Sequence, residues 1–271
     1  MTFEDILYEK YNHRAKITIN RPAKLNAFTR HTLQEMHQAL YDAWADSAVG
    51  AVILTGAGDR AFCVGGDQSV REKGGYQEST GEKAAQAGGM PLQTLHALVV
   101  QTIRNIPKPV VAMVNGYAIG GGHVLHVVCD LTVAADSARF GQVGPKVGSF
   151  DAGYGSAYLA RVVGEKRARE IWFLCEQYSA AEALAMGLVN RVVPKAELEE
   201  ATEQLVDRLV AKSPTSLAAL KTSFNADSDS IWGIHQVAGV ALTLYYDTDE
   251  AVEGRNAFME KRPPNFDPYR R

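Results

Sequence analysis

The chain has 271 residues and a formal net charge of -3 at neutral pH, which argues against a general nucleic-acid or anionic-membrane surface. Its composition, 46% hydrophobic and 22% charged, is that of an ordinary globular protein, and no apolar run approaches membrane-spanning length. Cys63, Cys129 and Cys175 are odd in number, widely spaced and lack metal-site spacing. They predict reduced thiols and a cytoplasmic setting rather than a disulfide framework. Met1–Lys10 shows no basic stretch leading into a long apolar region, so no secretory leader is expected.

Tyr8–Ile19 reads as extended structure, with Ile17 and Ile19 on one face and Lys16 and Thr18 on the other, and Arg21-Pro22 ends it. Leu33, Met36, Leu40 and Trp44 recur at helical spacing and predict a helix from about Thr29 to Ala45. Thr32-Leu33-Gln34-Glu35 has capping-box form, so the helix could start at either threonine. Ala51–Thr55 reads as a short buried strand. The following Gly56-Ala57-Gly58-Asp59-Arg60-Ala61 matches a dinucleotide fingerprint in letters only, because Phe62–Asp67 cannot open the apolar-periodic helix that such a site requires.

Residues 68–90 are polar and glycine-rich and predict a long loop. Leu92–Ile106 reads as helix, Val110–Val114 as strand, and Gly120-Gly121-Gly122 as a turn into a second apolar helix. Such a turn leaves free backbone N–H groups able to bind an anion or a developing oxyanion. A tight packing turn explains the same glycines equally well. Leu131–Ala134 is a further strand, and Phe140–Tyr154 a loop.

Up to that point strand and helix alternate, the pattern of a largely parallel sheet covered by helices. Afterwards strand signals almost vanish. Lys166–Glu176, a short helix opened by Ser179 and closed by Gly187, Leu198–Lys212, Thr215–Asn225 and Ile231–Lys261 read as helical, with Leu188–Val193 extended. The fold class predicted is therefore α/β. Residues 1–195 form the core, and residues 196–271 form a helical C-terminal region packing on that core and on neighbouring subunits.

Three chemistries compete. A Ser-His-Asp hydrolase has Ser149 and Asp151 in one loop but no G-x-S-x-G elbow. A metal site has His123, His126 and Asp130 but no H-E-x-x-H arrangement, so packing and capping explain these residues better. Oxyanion chemistry has two glycine turns, each just after a strand: Cys63-Val64-Gly65-Gly66-Asp67 and Gly120-Gly121-Gly122. Two backbone N–H groups converging on one carbonyl oxygen stabilise an enolate by several kcal/mol in a dry site, to an order of magnitude about 3.

Asn26-Ala27-Phe28, Ala61–Asp67, Pro107-Lys108-Pro109-Val110 and Asn115–Gly122, in this order and spacing, resemble the crotonase (enoyl-CoA hydratase/isomerase) superfamily. The resemblance runs from about residue 3 to the C-terminus. It implies a crotonase fold of repeated ββα units with a helical C-terminal region, and homo-oligomers, either trimers or hexamers. It also implies an acyl-CoA thioester substrate, no tightly bound cofactor, no metal, and neither nucleic acid nor membrane as partner. By the same resemblance Gly66 and Gly121 hold the thioester carbonyl, while Lys24, Asn26, Ala27, Val64 and Gly65 line the CoA.

Hydratases of the superfamily carry two glutamates that handle water. The matching residues here are Val124 and Gly144, neither of which can transfer a proton, so simple hydration is not expected. The stretch Gly144–Gly155 instead resembles the 1,4-dihydroxy-2-naphthoyl-CoA synthases, which close a ring by intramolecular Claisen condensation. Val70-Arg71 with Gly74-Gly75-Tyr76, and Ala168–Trp172, support that likeness.

The synthase resemblance implies Asp151 as proton-transfer group, Ser149 as orienting hydroxyl, and Tyr246 as hydroxyl donor from the C-terminal region of a neighbouring subunit. Asp67, Gln68, Arg71, Tyr76, Val143 and Gly144 would contact substrate. Glycine at 144 implies bound bicarbonate as base, in room left by a missing carboxylate. Ser69 stands where the synthases usually have lysine, leaving Arg71 as the cation. Gln142-Val143-Gly144, Gly89–Leu92 and Tyr245–Glu250 resemble instead the 2-ketocyclohexanecarboxyl-CoA hydrolases, which open a β-keto ring. A crotonase-fold scaffold that binds RNA without catalysis is a third reading, and the acidic net charge weighs against it.

Overall fold

The computed structural model describes residues 2–76 and 90–270; the expected loop over 68–90 therefore lies partly, at 77–89, outside the described residues. Strands β1 (Ile6–Tyr11) and β2 (Arg14–Ile19) pair antiparallel, and helix α1 (Arg30–Ala45) follows. The single extended stretch read at Tyr8–Ile19 is thus a hairpin. Its two-residue turn, Asn12-His13, has φ of 42° and 62°, the left-handed pair that a tight hairpin needs, formed without the usual glycine. Thr29 caps α1: its hydroxyl accepts Thr32 N–H at 3.2 Å, and Thr32 Oγ1 accepts Thr29 N–H at 3.0 Å.

Three ββα units follow, each sending one strand to a large sheet and the next to a small one. The first is β3 (Ala51–Gly56), β4 (Ala61–Cys63) and α2 (Leu92–Asn105), interrupted by the small hairpin β5 (Arg71–Glu72) and β6 (Gly75–Tyr76). The second is β7 (Val110–Val114), β8 (Tyr117–Ile119) and α3 (Gly121–Val127). The third is β9 (Leu131–Ala135), β10 (Arg139–Gly141), a π-helical turn at Tyr154–Tyr158 and α4 (Leu159–Val163). Helix α5 (Glu165–Leu174), β11 (Gln177–Ser179), α6 (Ala180–Ala185) and β12 (Arg191–Val193) complete the core. The large sheet runs β1-β2-β3-β7-β9-β12 and the small one β11-β10-β8-β4.

Both faces of the large sheet are buried, which explains its continuous apolar strands. Val52 and Leu54 face the main core with Leu33 and Met36 of α1. Ala51, Ile53, Val111 and Met113 face a second cluster closed by Leu198, Leu205 and Val206, on helix α7 (Leu198–Val210). Helices α8 (Pro214–Ala226), α9 (Ser230–Tyr246) and α10 (Asp249–Met259) follow. The long helix expected over 231–261 breaks at Asp247-Thr248, because the Thr248 hydroxyl accepts Ala251 N–H at 3.2 Å and starts a new helix. Among the described residues no helix is long and apolar enough to cross a membrane.

Candidate active site

Two glycine turns meet at one end of the small sheet. Strands β4 and β8 are parallel neighbours, so the chains leaving them, Val64–Gly66 and Gly120–Gly121, emerge side by side. Gly65 has φ of +87°, and a Cβ on it would lie 2.9 Å from the Gly121 nitrogen. Glycine is what lets the turns approach. Neither the Gly66 nor the Gly121 N–H meets a backbone acceptor among the described residues. The segment at 21–28 runs alongside: Phe28 N–H donates to the Gly65 carbonyl at 2.8 Å, and Asp67 N–H to the Phe28 carbonyl at 3.0 Å.

Ser149, Asp151 and Tyr246 line a cavity of about 340 Å³ together with Gly66 and Gly121. Ser149 Oγ and Tyr246 Oη are 2.8 Å apart. Asp151 Oδ1 accepts Gly155 N–H at 3.1 Å, and the Gly155 carbonyl accepts Trp172 Nε1–H at 2.6 Å, so a short ladder fixes the carboxylate. Burial raises the Tyr246 pKa, against the Arg71 charge and the Ser149 hydrogen bond, so the phenol holds its proton at neutral pH. Tyr246 lies on α9 of the same chain. The C-terminal region completes its own chain's site here, not a neighbour's as expected, because β5-β6 holds the end of α9 through Gly74 N–H on the Tyr246 carbonyl at 3.0 Å.

Residues 9–268 match the family model described as enoyl-CoA hydratase/isomerase. The chain belongs to the enoyl-CoA hydratase/isomerase family. Members of this family act on acyl-CoA thioesters. The chain is 28% identical to an enoyl-CoA hydratase from Mycobacterium avium subsp. paratuberculosis K-10, with a TM-score of 0.85 over 98% of this chain and 99% of that one. An enoyl-CoA hydratase/isomerase from Pseudoalteromonas atlantica T6c is 26% identical, with a TM-score of 0.84 over 97% and 100%. Another from Xanthobacter autotrophicus Py2 is 28% identical, with a TM-score of 0.81 over 96% and 94%.

Within this family fold, Val64, Gly65, Gln68, Tyr76, Val143 and Gly144 line the same cavity. Tyr76 stands over the first turn: Gln68 Nε2–H donates to its hydroxyl at 2.7 Å, and a Cβ on Gly66 would lie 2.6 Å from that oxygen. Lys24, Asn26, Ala27 and Asp67 sit behind the turns and not on the cavity wall. Lys24 is exposed and Ala27 buried. Asn26, buried with φ of 57°, donates to the Ala57 and Ala61 carbonyls at 2.9 and 2.7 Å and braces the segment. Asp67 caps Ser69 N–H at 3.0 Å and pairs with Arg21 at 3.1 Å; Arg21 and Ser69 hold its carboxyl below the usual range against the opposing effect of burial.

Two expectations are corrected. Arg71 is not a free cation for substrate: it is 1% exposed and donates to Gln68 Oε1 and to the Val147, Gly148 and Ala251 carbonyls. Its guanidinium lies 4.5 Å from the centre of the Tyr246 ring, so it braces the catalytic wall. At Gly144 the structure leaves no room where a carboxylate side chain would stand. A Cβ there would lie 2.7 Å from the Ser149 carbonyl oxygen and 2.8 Å from Trp172 Cζ3, so the expected room is filled. The nearby donors are engaged, Trp172 with Gly155 and Gln142 Nε2 with His123 Nδ1 at 3.2 Å, and Val143 has no polar side-chain atom.

Val124 is fully buried on α3, so neither position matched to the hydratase glutamates carries an acid. His123 meets Gln142, and His126 packs against Phe140 with ring centres 5.0 Å apart, a packing role as read from sequence. Burial alone drives the His123 pKa down to about 3. Sequence reading missed His96 on α2 and His235 on α9, both on the cavity wall. The signal for His235 was present: it is a single titratable side chain in the apolar run Ile231–Leu244.

Proposed function

We propose that this protein forms the enolate of an acyl-CoA thioester and uses it for carbon–carbon bond formation, closing the second ring of o-succinylbenzoyl-CoA. The carrying observation is that Asp151 and the hydrogen-bonded Ser149–Tyr246 pair line one cavity with Gly66 and Gly121, while Val124 and Gly144 leave hydration without its acids. Asp151 removes the proton alpha to the thioester, and the two glycine N–H groups stabilise the enolate oxygen. The α-carbon attacks the aryl carboxyl carbon, whose oxygens the Ser149 and Tyr246 hydroxyls hold. Water leaves, and transfer of the remaining protons from ring carbon to the two ring carbonyl oxygens makes the new ring aromatic. No step passes through bicarbonate.

The same wall also suits the reverse chemistry, ring opening of an alicyclic β-keto acyl-CoA by water. Supplying o-succinylbenzoyl-CoA and 2-ketocyclohexanecarboxyl-CoA separately, and following products by mass, separates the two. The synthase reading predicts a product lighter by one water from the first and no change in the second, with or without bicarbonate. Pimeloyl-CoA from the second substrate alone would overturn it. We further propose a homo-oligomer, trimer or hexamer, assembled through the exposed apolar side of α9, where Val237 is 72% and Leu244 66% exposed.

A further inference from the structure

Helix α9 forms one wall of the cavity, and the residues it turns inward recur at helical spacing. His235, Gly239, Leu242 and Tyr246 fall on one face of the helix, and all four line the cavity. The exposed side chains of Val237, Val240 and Leu244 occupy the far side. Gly239 is the position of that inward face without a side chain. It lies about two turns before Tyr246 along the helix.

Glycine inside a helix is destabilising relative to alanine, so its presence there calls for a reason. A left-handed backbone is not the reason, because Gly239 is not among the glycines with positive φ. Close packing is not the reason either. A Cβ on Gly66 or Gly121 would come within 2.6 Å of a neighbouring atom, and one on Gly144 within 2.7 Å. A Cβ on Gly239 would meet nothing within 4 Å among the described residues. What glycine leaves at 239 is room, and its place on the inward face opens that room into the cavity. A second small residue, Ala97 on α2, lines the same cavity, and Leu98, Trp232 and Leu242 give it apolar walls.

We propose that Gly239 is a specificity-determining residue that opens an acyl subsite between α9 and α2, wide enough for a ring, with Ala97 widening it from α2. Apolar walls beside an unfilled position suit the flat face of a ring better than a polar chain. The assignment rests on the acyl-CoA reading above and adds which residue admits the bulk of the acyl group. It does not depend on whether a ring is closed or opened.

Equilibrium binding of 4-phenylbutanoyl-CoA and butanoyl-CoA, which differ only by the terminal ring, tests this without turnover. The wild type is expected to bind the phenyl compound at least about tenfold more tightly, through the apolar area the ring buries. Gly239→Leu fills the space and is expected to abolish that preference, leaving butanoyl-CoA affinity within about threefold of wild type. Gly239→Ala removes part of the preference and raises the thermal midpoint, as alanine for glycine does inside a helix. Ala97→Leu repeats the loss from α2, so the result does not hang on the folding of one variant. A phenyl preference that survives both leucine variants, or equal weakening of both thioesters by them, would overturn the assignment and leave the acyl-CoA reading standing. A fall in particle mass in Gly239→Leu with the preference intact would also overturn it, giving the space to a neighbouring copy of the chain. Failure of the wild type to bind either thioester would overturn both.

Discussion

Tyr246 Oη and Ser149 Oγ, 97 residues apart in sequence, lie 2.8 Å apart and join the last turn of α9 to the loop that carries Asp151. The pair gives the cavity two hydroxyls at one point, with Arg71 bracing the tyrosine ring from behind. Tyr246→Phe removes one hydroxyl and leaves the ring in place. Turnover of o-succinylbenzoyl-CoA is expected to fall by about 10²-fold, with the thermal midpoint nearly unchanged. Steady-state kinetics beside a melting curve check this; full activity would remove Tyr246 from the mechanism.

Gly121→Ala tests the second turn. Its Cβ would come within 2.6 Å of Phe28 Cζ, so the phenylalanine must move or the turn must shift its N–H. Loss of one aligned donor is expected to cost about 10²–10³-fold in turnover. The effect should fall on kcat more than on KM, which an initial-rate series resolves.

Acid lowers stability through the buried histidines behind that turn. The His123 pKa is about 3, held there by burial, and His126 lies well below its ordinary value through burial and the neighbouring His123 charge. Both are neutral when folded and protonate more readily when unfolded. Stability from them is therefore present above about pH 6.5 and is lost as pH falls toward the folded pKa. Between pH 6.5 and 5 His123 contributes a loss of about 2 kcal/mol, and His126 acts in the same direction. Urea midpoints at pH 7.5 and 5 should separate strongly in the wild type and less in His123→Gln.

A charge on the exposed side of α9 tests assembly. Val237→Glu places a carboxylate where the side chain is 72% exposed in the single chain. Light scattering after size exclusion is expected to show smaller particles than the wild type. An unchanged mass would put the interface elsewhere.

The glycine turns and the loop at 144–155 were legible in the sequence because each needs residue types that few other contexts demand. Gly65 must take a positive φ, and Ser149 with Asp151 places polar chemistry in a glycine-rich loop. The hairpin at Asn12-His13 was hidden because its left-handed turn uses no glycine. The break before α10 falls in Asp247-Thr248-Asp249-Glu250, where a capping threonine and two acids in the first turn mark a helix start that the long helical reading ran through. Arg71 and Gly144 were misread for a shared reason: sequence shows which groups are present, but not that four acceptors already hold the guanidinium or that Trp172 already fills the space at 144. His96 and His235 come from separate helices, and only tertiary packing brings them to one cavity.

The central claim is that Asp151 makes an enolate in the Gly66–Gly121 site and that hydration is not the chemistry. Incubating the protein with pentanoyl-CoA in D2O, and reading deuterium at the α-carbon by mass, tests it most directly. The wild type is expected to incorporate deuterium, and Asp151→Asn to do so about 10²–10⁴-fold more slowly while keeping its fold. Exchange at the wild-type rate in Asp151→Asn, or no exchange by the wild type at all, would contradict the account.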